Sequence, residues 1–171
     1  MAPEFRLAGH RPGAAAEVAR LHAVYYHRNW GLDQSFEAEV MHQLGEFLGR
    51  LAPDRDLFLA AYATPPAGGD ERLAGAVAVD GRAEPGRARL RWFIVDPCWH
   101  GAGLGKRLLH GAVDFAREAG HGCLYLWTFE GLTQARKLYE GAGFRLVEEH
   151  RAPRWGQEVN EQKFELDLAT P

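Results

Sequence analysis

The sequence predicts a mixed α/β fold in which helices pack on a sheet. Three observations lead there. Strand-like apolar runs and stretches of helical periodicity succeed one another in the order β-α-α-β-β-β-α-β-α-β-β. The apolar share is 46% of 171 residues, an ordinary globular core for one domain over residues 1–171 with little room for a second. The junctions between runs carry Gly and Pro, the residues that punctuate elements.

Residues 4–8 suit a short first strand. Pro12 then opens a helix over about residues 13–28, with Val18, Leu21, Val24 and Tyr25 on one face. Gly31 and Asp33 mark a break. A second helix follows over about residues 35–51, with Phe36, Val40, Leu44, Phe47, Leu48 and Leu51 at helical spacing, and Pro53 stops it. DLFLAAYAT and RLAGAVAVD read as two strands joined by the turn-rich TPPAGGDE. RARLRWFIVDP is a third strong strand, ending at Pro97. Residues 103–119 read as a helix, CLYLWTF as a strand, and residues 132–141 as a short helix closed by Gly141. FRLVEEH is a further strand, APRWGQEVN reads as irregular, and KFELDL alternates like a last edge strand. There is no internal repeat and no low-complexity segment.

Several function classes are excluded by bulk properties. A net charge of −3 does not suit a nucleic-acid binder. Two cysteines, Cys98 and Cys123, make no disulfide framework and read as reduced thiols of a cytoplasmic protein. The N-terminal MAPEFRLAGHRPG lacks the apolar core of a signal peptide. No apolar run approaches the roughly 18 residues of a membrane span. The histidines show no ligand spacing, so no metal is expected.

WHGAGLGKRL, residues 99–108, carries the chemistry. Gly101, Gly103 and Gly105 alternate with small or apolar residues, and Lys106 and Arg107 follow, between a strand ending near Val95 and a helix starting near Leu104. Unpaired N–H groups at a helix N-terminus point outward at the positive end of the helix dipole. Glycine lets another group approach that backbone. This is the physics of a phosphate cradle. It is not a Walker A loop, because His100 stands where the first glycine belongs and Arg107 follows Lys106. Nor is it a dinucleotide fingerprint, because Lys106 occupies the third glycine's place and the motif lies late in the chain. A bare glycine-rich turn with no ligand remains open on these residues alone.

The wider context is more specific. VDPCWHGAGLGKRLLHGAVDFAREAG, followed by LYLWTFEGLTQARKLYEGAGF, resembles the acetyl-CoA-binding core of the GNAT superfamily of N-acetyltransferases. Val95, Pro97, Gly103, Gly105, Ala135, Leu138, Tyr139, Gly143 and Phe144 match that pattern in order and spacing. LRWFIVDP and LWT look most like the acetyltransferase halves fused to MarR-type regulators, though no winged helix is present in this chain. Two positions depart from the pattern. His100 stands where an Arg or Gln is usual, and Leu132 where an Asn often sits.

The resemblance implies an α+β fold, a mixed and mostly antiparallel central sheet of about six or seven strands flanked by helices. It implies transfer of an acetyl group from acetyl-CoA, as cosubstrate, to a primary amine by direct attack in a ternary complex. The acceptor would be a small molecule or a peptide; no nucleic acid or membrane is a partner, and a homodimer stays open. The cosubstrate would lie on Gly101, Ala102, Gly103, Leu104, Gly105, Lys106 and Arg107, with backbone at Ile94 and Val95 facing the thioester carbonyl. Tyr139 would protonate the departing thiolate. The second helix would border the acceptor, which makes Asp33, Glu37 and Glu39, with Glu130, candidates for drawing protons off an ammonium through water or for attracting a cationic acceptor, with Glu37 taken as a substrate-binding residue. Tyr25, Tyr26, His27 and Trp30 form a polar-aromatic cluster suited to line an acceptor pocket. Two other readings stand beside the enzyme: a catalytically silent module that holds CoA or an acyl-CoA for a partner, and a structural domain with no cosubstrate.

Overall fold

Local chemistry sets the element ends. The structure, a computed structural model, describes residues 4–65 and 67–169. Helix α1 (Ala14–Trp30) starts after Gly13 at φ 88° and ends on Gly31 at φ 70°, both left-handed positions that favour glycine. Helix α2 (Gln34–Gly49) starts at Asp33, whose carboxylate accepts the Ser35 N–H at 2.9 Å. Two further helices, α3 (Leu104–Glu118) and α4 (Thr133–Gly141), follow later in the chain. Among the described residues seven strands form one sheet: β1 (Arg6–Ala8), β2 (Leu57–Ala63), β3 (Arg72–Glu84), β4 (Arg87–Val95), β5 (Cys123–Phe129), β6 (Arg145–Arg154) and β7 (Gln157–Asp167). Their order is β1-β2-β3-β4-β5-β7-β6, and only β4 and β5 run parallel.

Around β2 and β3 the sheet is buried on both faces. In β2, Ala61 and Ala63 join the core under α3 while Phe58, Ala60 and Tyr62 join the core under α1 and α2. This explains why LFLAAYA is a near-continuous apolar run. Helix α3 supplies Leu104, Leu108, Leu109, Ala112, Val113 and Ala116 to its side. Helices α1 and α2 supply Val18, Leu21, Val40, Leu44 and Phe47 to the other.

Three local expectations need correction. Val24 is exposed, because one residue turns a helix by about 100° and Tyr25, not Val24, faces the sheet. The stretch expected to be irregular after His150 is a hairpin: β6 and β7 are joined by Trp155 (φ 52°) and Gly156 (φ 78°), the two positive φ angles of a tight primed turn. The last strand is not an edge strand. It inserts between β5 and β6, leaving the exposed β6, with Pro153, at the edge.

Leu108 is fully buried between α3 and the sheet. Leu108→Ala is expected to lower unfolding free energy by about 2–5 kcal/mol in urea denaturation. Val24→Ala, on the exposed face, should stay within about 0.5 kcal/mol. Equal effects would contradict this assignment of faces.

Candidate active site

The site begins where two strands stop pairing. β4 and β5 share three residue pairs, Arg87↔Cys123, Ala88↔Leu124 and Arg89↔Tyr125, and none beyond. Just past that point β4 carries a bulge. Ala78 pairs Arg91 and Ala76 pairs Ile94, so Trp92 and Phe93 oppose Val77 alone. Trp92 sits at φ 46°, a left-handed conformation that costs a bulky residue strain. The extra residue resets the alternation. Ala88 and Leu90 bury under α3, but Trp92 and Ile94 bury under α1 and α2, while Phe93 and Val95 turn back toward α3 and α4.

Two clefts flank this divergence. One, of about 340 Å³, runs along the glycine segment between Ile94–Val95 and Ala135–Leu138. The other, of about 480 Å³, lies under α2 between β4 and β5. Tyr26, Phe93 and Leu132 line both.

The glycine segment is held by a short 3₁₀ turn, Pro97–Trp99, capped by the Asp96 carboxylate, which accepts the Cys98 N–H at 2.9 Å. Gly101 (φ 80°) and Gly103 (φ 78°) adopt left-handed backbone in which a side chain would be strained although nothing crowds it. Gly105 differs. It is helical, and a Cβ there would stand 3.1 Å from Leu138 Cδ1 and 3.6 Å from Phe93 Cζ, so the absent side chain keeps the cleft open. Among the described residues no acceptor takes the N–H groups of Gly101, Gly103, Leu104, Gly105 or Lys106. Such an array holds an anion. His100 lines the same cleft, with its Nε2 3.1 Å from the Val95 carbonyl oxygen and its ring edge-on to Tyr25. Gly101, Gly103, Leu104, Gly105, Ile94 and Val95 line the cleft. Ala102, Lys106 and Arg107 do not; the Arg107 guanidinium lies 6.0 Å from the Phe5 ring centre.

The aromatic cluster divides. Tyr25, Tyr26 and Trp30 cover the glycine cleft, whereas His27 is exposed and its Nδ1 contacts the Leu32 carbonyl at 2.9 Å. Trp30 therefore stands on the glycine side, away from the larger cleft. Of the candidate carboxylates, Asp33 caps α2, Glu37 is exposed and outside both clefts, and Glu130 lies near Asn160. Glu39 does line the larger cleft, where it accepts from Trp155 Nε1 at 2.8 Å and from Arg154 Nη2 at 3.1 Å.

Tyr139 also lines the larger cleft, packed by Phe93, Phe144 and Phe164. Burial, aided by the nearby Tyr26, holds its phenol well above the usual value, so it is protonated at neutral pH. Six ionisable groups of the larger cleft were not anticipated from the sequence: His22, Arg89, Arg91, His150, Arg154 and Glu161. His22 stacks on Tyr26 and its Nδ1 lies 2.8 Å from the Val18 carbonyl, so the ring is a neutral Nδ1–H tautomer, and burial lowers its pKa to about 4. Its position one helical turn before Tyr26 was the available signal. Burial lowers Arg91 to about 10, with the neighbouring Arg89 charge adding to the effect.

Comparison with known proteins agrees with this geometry. Residues 16–144 match the acetyltransferase (GNAT) family. Among curated relatives, N-alpha-acetyltransferase RimI of Mycobacterium tuberculosis is 37% identical over 67 residues, 39% of this chain and 40% of that protein. N-acetylaspartate synthetase of Xenopus tropicalis is 31% identical over 96 residues, 54% of this chain and 35% of that protein. These matches thus span well under half of the relatives' own lengths. Similar solved structures include an acetyltransferase of the GNAT family from Staphylococcus aureus Mu50 (TM-score 0.73, 15% identity, 96% of this chain and 99% of that one). A Salmonella typhimurium protein solved with its cofactor acetyl-CoA has TM-score 0.70 and 16% identity, over 96% and 94% of the chains. The likeness to these structures is one of fold.

His22 links stability to pH. Its folded pKa, about 4, lies below the ordinary 6.5, so the native state holds the neutral ring. The stabilisation is complete above about pH 6.5 and is lost as pH falls toward 4, by up to about 3 kcal/mol. Denaturant unfolding at stepped pH should show that decline in the parent and a shallower one in His22→Gln. Parallel pH profiles would contradict the assignment.

Proposed function

The chain belongs to the acetyltransferase (GNAT) family, and we propose that it moves an acetyl group from acetyl-CoA to a primary amine by direct attack in a ternary complex. One observation carries the reading: a cleft floored by unpaired helix N–H groups meets a second, polar cleft at Tyr26, Phe93 and Leu132. Two substrates can enter from opposite sides and react at the junction.

The residues present fit the cosubstrate. The free N–H groups from Gly101 to Lys106 bind its pyrophosphate, and the missing side chain at Gly105 leaves room beside Leu138. Bound there, it supplies an activated acetyl thioester. Backbone at Ile94 and Val95 faces the carbonyl, where a donor stabilises developing negative charge. His100, in place of an Arg or Gln, is tied to the Val95 carbonyl, which leaves the anion to the backbone. The neutral amine forms the C–N bond as the C–S bond breaks. The Tyr139 O–H delivers a proton to the departing sulfur and is replenished, through water, by the proton the amine nitrogen sheds. Trp30, Tyr26 and Tyr25 exclude solvent above the thioester side.

A silent CoA-holding module requires the glycine cleft alone; the joined polar cleft favours an enzyme with a second substrate. The likeness of LRWFIVDP and LWT to acetyltransferase halves of MarR-type fusions rests on those two stretches.

Thiol release from acetyl-CoA across a panel of amines tests the reading. With a working acceptor, Tyr139→Phe should lower kcat by roughly 10²–10⁴ while acetyl-CoA affinity holds. A loss under about threefold would remove Tyr139 from proton delivery and leave it a packing residue. Tight acetyl-CoA binding with no thiol release from any amine would favour the silent module.

A further inference from the structure

β4 places three arginines on one face. Ala88 and Leu90 bury under α3, so Arg87, Arg89 and Arg91 point to the opposite side of the sheet. Two of them have partners for their charge, although the Arg87 Nε, like that of Arg89, is buried without a hydrogen bond. Arg87 pairs with Glu165, and Arg91 reaches Asp80 at 3.4 Å and Gln43. Arg89 has no hydrogen-bond or ion-pair partner among the described residues, and its Nε is buried without an acceptor. It lines the larger cleft at the last β4–β5 pair, the closed apex of the divergence.

The cleft's other charges are already engaged. Arg154 is held by Glu39 at 3.1 Å and Glu161 at 3.5 Å, and His150 lies 3.1 Å from Glu161. The charge left over is therefore positive and belongs to Arg89. Arg89 is half-buried, its Nε is shut off from solvent without an acceptor, and its charge has no counter-ion, so an anion entering the cleft gains a charge-assisted partner there. The planar guanidinium fork matches a carboxylate. Burial is the main cause of the lowered Arg91 pKa, and the neighbouring Arg89 charge lowers it further, which places the two guanidinium groups close together. A cleft of about 480 Å³ is of small-molecule size.

We propose that the acceptor is a small amino carboxylate, its carboxylate taken by Arg89 at the apex and its amine presented toward Tyr26, Phe93 and Leu132. This rests on the acetyl-transfer reading above and names its substrate class.

The test uses the twenty standard amino acids, the carboxamides of those that react, and a short peptide series carrying the same N-terminal residues. Thiol release is followed for the parent, Arg89→Met and Arg89→Lys. Binding of the same compounds without acetyl-CoA is followed by calorimetry. The parent should favour a free amino acid over its carboxamide by at least tenfold in kcat/KM. Arg89→Met should bring that ratio near one through KM, and Arg89→Lys should restore part of it. The thermal midpoint of Arg89→Met should be unchanged or higher, because a structural arginine would lower it. Carboxamides or peptides that react as well as free amino acids would overturn the proposal. So would a ratio that survives Arg89→Met, or an absence of both reaction and binding for every amino acid. If acetyl-CoA itself fails to bind, the acetyl-transfer reading falls, while the amino-acid binding difference between the parent and Arg89→Met still decides the role of Arg89.

Discussion

Loss of pairing between β4 and β5 after Arg89 and Tyr125 is the constraint on which the rest of the site depends. A sheet that kept pairing would be continuous, with no space between these strands. The bulge at Trp92 and Phe93 bends β4 just where the pairs end. It also exchanges the faces to which the following residues point. The polar arginines of the first half of β4 face α2, and the apolar Phe93 and Val95 of the second half face the glycine segment. One irregularity thus separates a polar cleft from a backbone-lined cleft and lets them meet. The strained φ of Trp92 is held in place by burial beside Phe47 under the two N-terminal helices.

In the proposed reading the glycine segment holds its anion through backbone more than through side-chain charge. Lys106 and Arg107 had looked like partners for a polyanion, yet neither lines the cleft. Each step along a helix rotates the side chain by about 100°, which carries both cations away from the face that Gly105 presents to Leu138. On that reading the unpaired N–H groups and the helix dipole supply the attraction nearest the cleft.

Much of the fold was legible because its elements are locally consistent. Helix α3 and the apolar β2 and β3 follow from neighbours in sequence. What escaped is what local pattern does not encode. RARLR alternates polar and apolar while WFIV is continuously apolar, a change that a strand entering a doubly buried part of a sheet also shows, so the bulge at their junction was not read. Trp155–Gly156 lacks the Asn-Gly signature of the tight turn it makes, so the β6–β7 hairpin read as irregular. Strand order depends on distant pairing, so β7 was misplaced at the edge. Glu37 and Glu39 are two residues apart and so about 200° apart on α2; only tertiary packing decided that Glu39 faces the cleft. The central arginine of RARLR became informative only once its neighbours were seen to be paired and it was not.

The central claim, that the N-terminus of α3 beside the β4–β5 divergence receives the cosubstrate, is open to one direct observation. The ¹⁵N–¹H spectrum of the protein, titrated with acetyl-CoA, reports each backbone amide separately. The account predicts the largest shifts at Gly101, Gly103, Leu104, Gly105 and Lys106, whose N–H groups have no partner among the described residues. Amides across the β1–β2 edge should stay in place. Saturable binding that leaves the glycine-segment amides unmoved would contradict the account, whatever activity the protein shows.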